Sequence, residues 1–330
     1  MSLRTAVIGV GSLGRQHARI HATLAAEGRT RFVSVCDLNE ETARNVSDER
    51  NTEWTTDWRE LIGRVDAVSL AVPTEAHCDI ACGLLEKGIH VLVEKPISRT
   101  LEEADRMIRA AEHGNALLQV GHLERFNPAM VALRPHVRKP VYFEIHRVGQ
   151  FTARSLDIDV VLDLMIHDLD IVQWLVGEEV EVTNIHAVGI AILTNKVDAA
   201  NARLEFSTGA VANITASRVG TEKIRKMRFF QPHDYIAIDY ATKRASVSSL
   251  APPSASGSWP GVHIKHLDVI DVEPLRAEIV SFLDSVENGL RPAVSGSDGR
   301  NALSLALRTL ERIRAHAEHP GVSELGANVR

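Results

Sequence analysis

The chain has 330 residues, 45% of them hydrophobic and 24% charged, which is typical of a globular protein with room for two domains. Its net charge of -6, with Lys and Arg scattered, provides no basic surface for nucleic acid, and no run approaches the roughly 18 apolar residues of a membrane span. The N-terminus lacks the pattern of a secretory leader, and the three cysteines fit a reducing compartment, so we expect a cytoplasmic protein.

The first 120 residues alternate between short apolar strands and helices. We predict strands at Thr5–Gly9, Arg31–Cys36, Ala67–Ala71, His90–Val93 and Leu117–Gly121, with helices at Leu13–Ala26, Glu75–Glu86 and Leu101–His113. Short apolar strands separated by helices indicate a parallel sheet that is covered on both faces. The sequence therefore predicts a doubly wound α/β domain at residues 1–122.

After Gly121 the pattern changes, and residues 123–330 are predicted to form a second domain. A long apolar helix is predicted at Asp159–Val176, strands at Val180–Ile192, Asn201–Phe206, Val211–Ser217, Arg225–Phe230 and Tyr235–Asp239, a loop at Ala251–Gly261, and closing helices near Pro274–Asn288 and Asp298–His316. Strands that follow one another without helices between them indicate an antiparallel sheet.

The segment GVGSLG places Gly9, Gly11 and Gly14 in G-x-G-x-x-G spacing. It follows the first predicted strand and opens a helix, which is the setting that dinucleotide binding requires. Gly9 permits the tight turn, Gly11 allows the backbone to approach a pyrophosphate, and Gly14 allows the helix to pack closely on the strand. The alternative, glycines that only turn the chain, stays open at this point.

Asp37 ends the second predicted strand, 23 residues after Gly14. A carboxylate there accepts hydrogen bonds from a ribose diol and repels a 2′-phosphate, which favours NAD over NADP. Arg15 and Arg44 leave NADP open as the alternative cofactor.

Lys95 lies in the sequence Glu94-Lys95-Pro96, directly after the fourth predicted strand. Ligands of open parallel sheets bind beyond the carboxyl ends of the strands. A lysine at that position can hydrogen-bond a substrate hydroxyl and stabilise the charge that develops on its oxygen. An exposed surface lysine is the alternative interpretation.

The predicted helix Asp159–Val176 carries His167 and several acids on an otherwise apolar surface. With regular α-helical spacing, Asp163, His167 and Asp170 project from one face, whereas Asp168 points away and is expected to form a salt bridge or a cap. A buried helix must give its polar groups partners or a cavity. His167 can accept a hydroxyl proton near neutral pH.

Two other interpretations of these residues remain open. His167 can be a core histidine that is satisfied by Asp163. The second interpretation is a metal site formed by His167, Asp163 and His122. We expect no metal, because Lys95 already supplies positive charge.

Taken together, the glycine motif, EKP, the D-x-x-x-H spacing and the closing segment SGSDGRNALSLAL resemble the Gfo/Idh/MocA oxidoreductases. The resemblance implies a Rossmann domain and a second α/β domain with a large, mostly antiparallel open sheet, through which homodimers or homotetramers form. It also implies that Lys95, Asp163 and His167 are catalytic. Met165 departs from the family pattern, in which glycine often stands two residues before the histidine.

The segments QVGHLERFNPA and RSLDIDVVLDLMIHDLDI resemble a narrower subgroup, the UDP-N-acetylglucosamine 3-dehydrogenases of lipid A biosynthesis, which use NAD. The cofactor-binding residues expected from this resemblance are Gly9, Gly11, Ser12, Leu13, Gly14, Asp37, Pro73, Thr74, His77, Glu94 and Lys95. Those expected to bind substrate are His122, Arg125, Asn127, Arg154 and Asp163. For Arg125 and Arg154 a surface salt bridge is the alternative.

Two alternatives to this function remain. One is another sugar or inositol dehydrogenase of the same family. The other belongs to a different class, a regulator that binds NAD without catalysing a reaction, which would be expected to lose Lys95 or the Asp163–His167 pair.

Overall fold

The computed structural model describes residues 2–151, 158–253 and 260–319. The chain divides into two compact units. The first contains the residues up to Leu123 together with Glu273–Leu303, and the second contains Glu124–Val272 and the residues from Ser304 onward. Each unit is described by itself below.

Helices and strands of both units are numbered in chain order. The α-helices of the described residues are α1 (Gly14–Ala26), α2 (Glu40–Arg50), α3 (Thr74–Leu85), α4 (Leu101–His113), α5 (Pro128–Leu133), α6 (Ile166–Val176), α7 (Pro274–Asn288) and α8 (Gly296–Ala317). The strands are β1 (Leu3–Ile8), β2 (Thr30–Cys36), β3 (Glu53–Thr55), β4 (Ala67–Leu70), β5 (His90–Glu94), β6 (Leu118–Gly121), β7 (Tyr142–Val148), β8 (Val182–Ile190), β9 (Ala199–Phe206), β10 (Val211–Ser217), β11 (Ile224–Gln231), β12 (Asp234–Asp239), β13 (Arg244–Pro253) and β14 (Pro260–His266). A π-helical turn covers Val161–Met165. None of the helices in the described ranges is long and apolar enough to cross a bilayer.

The first unit contains a six-stranded sheet in the order β3-β2-β1-β4-β5-β6. All of its neighbouring strands pair in parallel. The strand order reverses direction between β1 and β4, and ligands of such sheets bind at this switch point, beyond the carboxyl ends of the strands. The predicted doubly wound parallel sheet is confirmed.

The expected domain boundary is wrong for the closing segment. Residues 273–303 belong to the first unit rather than to a continuous domain at 123–330. The physical reason is the apolar side of α7, where Ile279 and Phe282 are buried with Leu24 of α1 and Leu92 of β5. This burial makes α7 part of the core of the first unit.

The beginning of α8 also packs on the first sheet. A Cβ atom at Gly299 would lie 2.5 Å from a side-chain atom of Val120, and one at Gly296 would lie 2.9 Å from Leu118. These two glycines of SGSDG therefore allow the start of α8 to approach β6 closely. The motif has a packing function in this chain.

The second unit contains an eight-stranded sheet in the order β14-β13-β12-β11-β7-β10-β9-β8. Only β7 and β10 pair in parallel, and the other neighbours are antiparallel. The predicted mostly antiparallel sheet is confirmed. β7, β13 and β14 were not predicted, and part of the loop expected at Ala251–Gly261 belongs to the last two strands.

Glu278 of α7 is a carboxyl group inside the core of the first unit. It is fully buried, and among the described residues neither of its carboxyl oxygens has a hydrogen-bond partner. Burial, and then the negative charge of Glu94, raise the pKa of Glu278 well above its ordinary value. The folded protein therefore keeps this group protonated to a higher pH than the unfolded chain does.

We expect Glu278→Gln to become more stable relative to the unmodified protein as the pH rises. The folded pKa lies above the unfolded one, so the folded state holds a proton that the unfolded chain releases above about pH 4.3. The unmodified protein loses that stability as the pH rises, and the variant does not. Urea denaturation should show the difference growing by about 1 kcal/mol or more between about pH 5 and about pH 8. If the unfolding free energies of the two proteins changed equally with pH, the raised pKa of Glu278 would be contradicted.

Candidate active site

The glycine turn of the first unit has the geometry of a phosphate-binding loop. Gly9 has a φ of +80°, and a Cβ atom at Gly14 would lie 1.7 Å from the carbonyl oxygen of Gly9. A Cβ atom at Gly11 would meet nothing within 4 Å, so backbone at Gly11 borders open space. Ser12 and Leu13 are exposed beside it, and the N-cap residue Leu13 has no side-chain oxygen to satisfy the first N–H groups of α1. This helix N-terminus suits an anionic group.

Asp37 lies at the carboxyl end of β2, next to the glycine turn. Its Oδ2 accepts a hydrogen bond from the backbone N–H of Val10 at 2.8 Å, and its Oδ1 accepts one from Asn39 at 2.9 Å. These contacts fix the carboxylate, which is half-buried, where the adenosine ribose of a dinucleotide is expected. The two arginines that leave NADP open are both paired, Arg15 with Glu49 and Arg44 with Glu40.

His77 has a setting different from the expected contact with the cofactor. Its ring is 1% exposed, with Nε2 3.0 Å from the carbonyl oxygen of Val72 and Nδ1 3.0 Å from that of Pro96. It therefore joins the loop after β4 to the Lys95–Pro96 peptide, which is cis. At the start of α3, Pro73 is exposed and Thr74 is half-buried. Their contact with a cofactor stays a prediction.

Lys95 follows the carboxyl end of β5 and is half-buried. The preceding Glu94 is held by His17 of α1, whose Nε2 lies 2.9 Å from the Glu94 carboxylate. Burial alone would raise the pKa of Glu94, but the hydrogen bond from His17 and the charges of His17 and Lys95 lower it. Glu94 is therefore ionised, and it places a negative charge beside Lys95. No sequence motif predicted that His17 contributes to this site or that it pairs with Glu94.

In the second unit, Asp163 lies within the π-helical turn and His167 at the start of α6. The regular α-helix expected across Asp159–Val176 is therefore wrong at its beginning, and α-helical spacing does not apply between these two residues. Both side chains are half-buried. π-helical turns occur frequently at functional sites. The side chains of Asp163 and His167 are therefore partly accessible, whereas those of Val161 and Met165 on the same segment are buried.

Asp170 is not available as a third acid of the site. Arg125 Nε donates to Asp170 Oδ2 at 2.9 Å, and Arg125 Nη2 donates to Asp170 Oδ1 at 2.6 Å. The side chains of Arg125 and Asp170 are 4% and 1% exposed. The salt bridge that was the alternative for Arg125 is therefore present, although it is buried, and substrate binding by Arg125 stays a prediction.

Asp168 forms the salt bridge that was expected for it. Arg147 of β7 donates to its two oxygens at 2.7 and 2.8 Å, and a third donor of Arg147 contacts Glu124 at 2.7 Å. All three residues are buried. This network connects α6 to the sheet and supports the segment that carries Asp163 and His167.

The other residues expected to bind substrate differ in their burial and hydrogen bonds. Asn127 caps α5 by accepting a hydrogen bond from Ala129 at 3.1 Å, and its amide donates to the carbonyl oxygen of Tyr240. His122 is 1% exposed, and Arg154 lies outside the described residues. Within those residues, no three His, Cys, Asp or Glu side chains are grouped closely enough to hold a metal ion.

Two models of protein-family domains match the sequence. Residues 3–122 match an oxidoreductase family with an NAD-binding Rossmann fold, and residues 102–230 match the Gfo/Idh/MocA C-terminal domain. The chain belongs to the Gfo/Idh/MocA oxidoreductase family. The family assignment made from the sequence motifs is confirmed.

Two curated proteins are similar to this chain over nearly its whole length. The UDP-N-acetylglucosamine 3-dehydrogenase of Acidithiobacillus ferrooxidans is 37% identical over 314 residues, 95% of this chain and 98% of that protein. The myo-inositol 2-dehydrogenase of Thermotoga maritima is 28% identical over 336 residues, 95% of this chain and 98% of that protein. Similarity of this extent includes both units.

Solved structures of two dehydrogenases have the same fold as this chain. A structure of the UDP-N-acetylglucosamine 3-dehydrogenase of Acidithiobacillus ferrooxidans superposes with a TM-score of 0.88 at 36% identity, covering 96% of this chain and 99% of that one. A levoglucosan dehydrogenase in complex with NADH and levoglucosan has a TM-score of 0.84 at 18% identity, covering 96% and 98%. The second comparison concerns the fold alone.

Proposed function

We propose that the protein is an NAD-dependent dehydrogenase that oxidises the 3-hydroxyl of UDP-N-acetylglucosamine. The observation that carries this proposal is the 37% identity over 95% of the chain to a UDP-N-acetylglucosamine 3-dehydrogenase. The presence of Lys95, Asp163 and His167 supports catalysis over a regulatory function, since a regulator has no need of the proton-transfer groups. An inositol dehydrogenase is the alternative that the assay below tests.

The residues of the first unit fit a dinucleotide. The open space at Gly11 suits the pyrophosphate, and the fixed carboxylate of Asp37 suits the ribose diol. The pairing of Arg15 and Arg44 with glutamates makes both less available to a 2′-phosphate. These contacts support NAD as the cofactor.

The proposed mechanism assigns one role to each of three side chains. NAD, held by the glycine turn and Asp37, would supply the hydride acceptor for the oxidation of the sugar carbon. His167 accepts the proton of the substrate hydroxyl, and Asp163 orients the imidazole or contacts the sugar. Lys95 hydrogen-bonds the same hydroxyl oxygen and stabilises the charge that develops on it. Glu94, held ionised by His17, places a negative charge beside Lys95.

We expect Asp37→Asn to reduce the preference for NAD over NADP. The amide keeps one acceptor oxygen but removes the charge that binds the ribose diol and repels a 2′-phosphate. The ratio of kcat/KM for the two cofactors should fall by about 10- to 100-fold, the value of one charge-assisted interaction. Asp79→Asn, at an exposed position of α3, is the matched control. A chain that prefers NADP from the outset would contradict the role of Asp37.

We further propose that the protein acts in the cytoplasm, in lipid A biosynthesis, as a homodimer or homotetramer. Self-association through the second sheet has support from large apolar side chains on its outermost strands, where Val262 and Ile264 of β14 are 67% and 57% exposed. Exposed apolar surface of this kind favours association. We expect light scattering to give a mass above that of one chain and Ile264→Lys to lower it. A monomer at micromolar concentration would contradict the proposal.

The experiment that tests the function is an assay of NADH formation with a panel of sugars. The panel contains UDP-N-acetylglucosamine, UDP-glucose, N-acetylglucosamine and myo-inositol. We expect the highest kcat/KM with UDP-N-acetylglucosamine. Preference for myo-inositol would support the alternative dehydrogenase, and tight NAD binding without turnover of any compound would support the regulator.

A further inference from the structure

Arg225 is a charged residue on the helix-covered face of the second sheet. It lies opposite Arg147 in the antiparallel register of β11 and β7. Directly opposite residues of an antiparallel pair project from the same face. Arg147 projects toward Asp168 of α6, so Arg225 projects toward the same side. The next residues of β11 on this side, Met227 and Phe229, are buried.

The neighbouring carboxylates are already used by Arg147. Asp168 receives two hydrogen bonds from its guanidinium and Glu124 receives one. Arg225 makes no side-chain hydrogen bond or salt bridge to any residue that the structure describes. On the opposite face of the same strand, by contrast, Arg228 is paired with Glu144 at 2.8 Å.

The environment of Arg225 disfavours its charge. The side chain is half-buried. Burial, and then the positive charge of Arg147, lower the pKa of Arg225, whereas the charges of Glu124, Asp168 and Asp163 act in the opposite direction. A guanidinium remains charged under these conditions. It has five donors to offer, and an anion with several oxygens would satisfy them.

Arg225 lies opposite Arg147, and Arg147 binds Asp168, the residue directly after His167. Arg225 is therefore on the side of the sheet that faces the helix carrying His167, which is expected to act on the sugar. In a nucleotide sugar the diphosphate is attached to C1, two ring bonds from the C3 that would be oxidised. A cation close to the site of reaction is therefore within reach of phosphate oxygens. Guanidinium groups bind such oxygens through two parallel hydrogen bonds.

We propose that Arg225 binds the diphosphate of the substrate and selects a nucleotide sugar over a neutral sugar or an inositol. This assignment rests on the proposed function, since it requires a substrate with a phosphate group. It differs from the expectation drawn from the sequence, which named Arg125 and Arg154. Arg125 is committed to Asp170, whereas the Arg225 guanidinium has no hydrogen-bond partner among the residues that the structure describes.

The test compares Arg225→Met with Arg228→Met in steady-state kinetics. We expect Arg225→Met to raise both the KM for UDP-N-acetylglucosamine and the inhibition constant of UDP by about 10- to 100-fold, the effect of losing charge-assisted hydrogen bonds. The kcat should change little. Arg228→Met removes an arginine of the same strand from the opposite face, so it should leave all three constants unchanged. Melting temperature and NAD binding serve as checks of folding.

Arg225→Lys provides a second variant, because it keeps the charge but not the paired donors. We expect intermediate values of both constants. If the unmodified protein oxidises UDP-N-acetylglucosamine and both variants keep its KM and its inhibition by UDP, the assignment of Arg225 is wrong while the proposed function stands. A loss confined to kcat would also overturn it. If the unmodified protein does not oxidise UDP-N-acetylglucosamine, the proposed function itself fails.

Discussion

Replacing Lys95 or His167 with alanine is expected to lower kcat by about 10²-fold or more, the lower range of acid–base contributions. Lys95→Ala removes the positive donor to the hydroxyl oxygen, and His167→Ala removes the base that accepts its proton. Lys95 is also one of the expected cofactor contacts, but neither side chain is part of the glycine turn or of the Asp37 site, so NAD binding should largely persist. Steady-state NADH formation measures the first effect, and a thermal shift with NAD measures the second.

The controls for these variants are Lys226→Ala and His186→Ala. Both residues are exposed in the second unit, and neither is assigned to the reaction. Unchanged kcat in the controls shows that losing a lysine or a histidine is not harmful by itself. Full activity in either Lys95→Ala or His167→Ala would remove that residue from the mechanism.

Asp168→Ala is expected to cost about 3–5 kcal/mol of unfolding free energy, because it leaves Arg147 charged in a buried site without its main partner. Burial alone would lower the pKa of Arg147, but Asp168 and Glu124 raise it, so the guanidinium is charged at every working pH. Loss of the Asp168 carboxylate leaves only Glu124 to compensate the charge. Urea denaturation of the two proteins measures the difference.

Glu144→Ala is the matched control for this pair. Glu144 pairs with Arg228 at 2.8 Å, and the Arg228 side chain is 51% exposed. An exposed pair contributes about 0–1 kcal/mol, so the control should lose no more than that. Equal losses in the two variants would contradict the view that burial gives the Arg147–Asp168 pair its importance.

The sequence was sufficient for the regular parts of the fold. β10 was predicted with its observed bounds, Val211–Ser217, because its apolar residues alternate without interruption. β7 was missed because Arg147 stands where that alternation requires an apolar residue, and it can be buried only because Asp168 and Glu124 lie opposite it. α2 was missed because its sequence, EETARNVSDER, has almost no apolar periodicity.

For the candidate site, the sequence identified motif residues but not their partners. Lys95, Asp163 and His167 follow from local patterns. The pairing of Arg125 with Asp170, and of His17 with Glu94, joins residues 45 and 77 positions apart, which no local pattern predicts. The π-helical turn at Val161–Met165 could not be predicted either, since the apolar sequence there fits an α-helix equally well.

The most direct test of the proposed reaction uses UDP-N-acetylglucosamine that carries deuterium at C3. Hydride transfer from that carbon predicts that the label moves to the nicotinamide, so mass spectrometry of the reduced cofactor should show one deuterium per turnover. The oxidised product should be the 3-keto sugar without label. Reduced cofactor without deuterium, or no reduction of NAD by this substrate, would contradict the account.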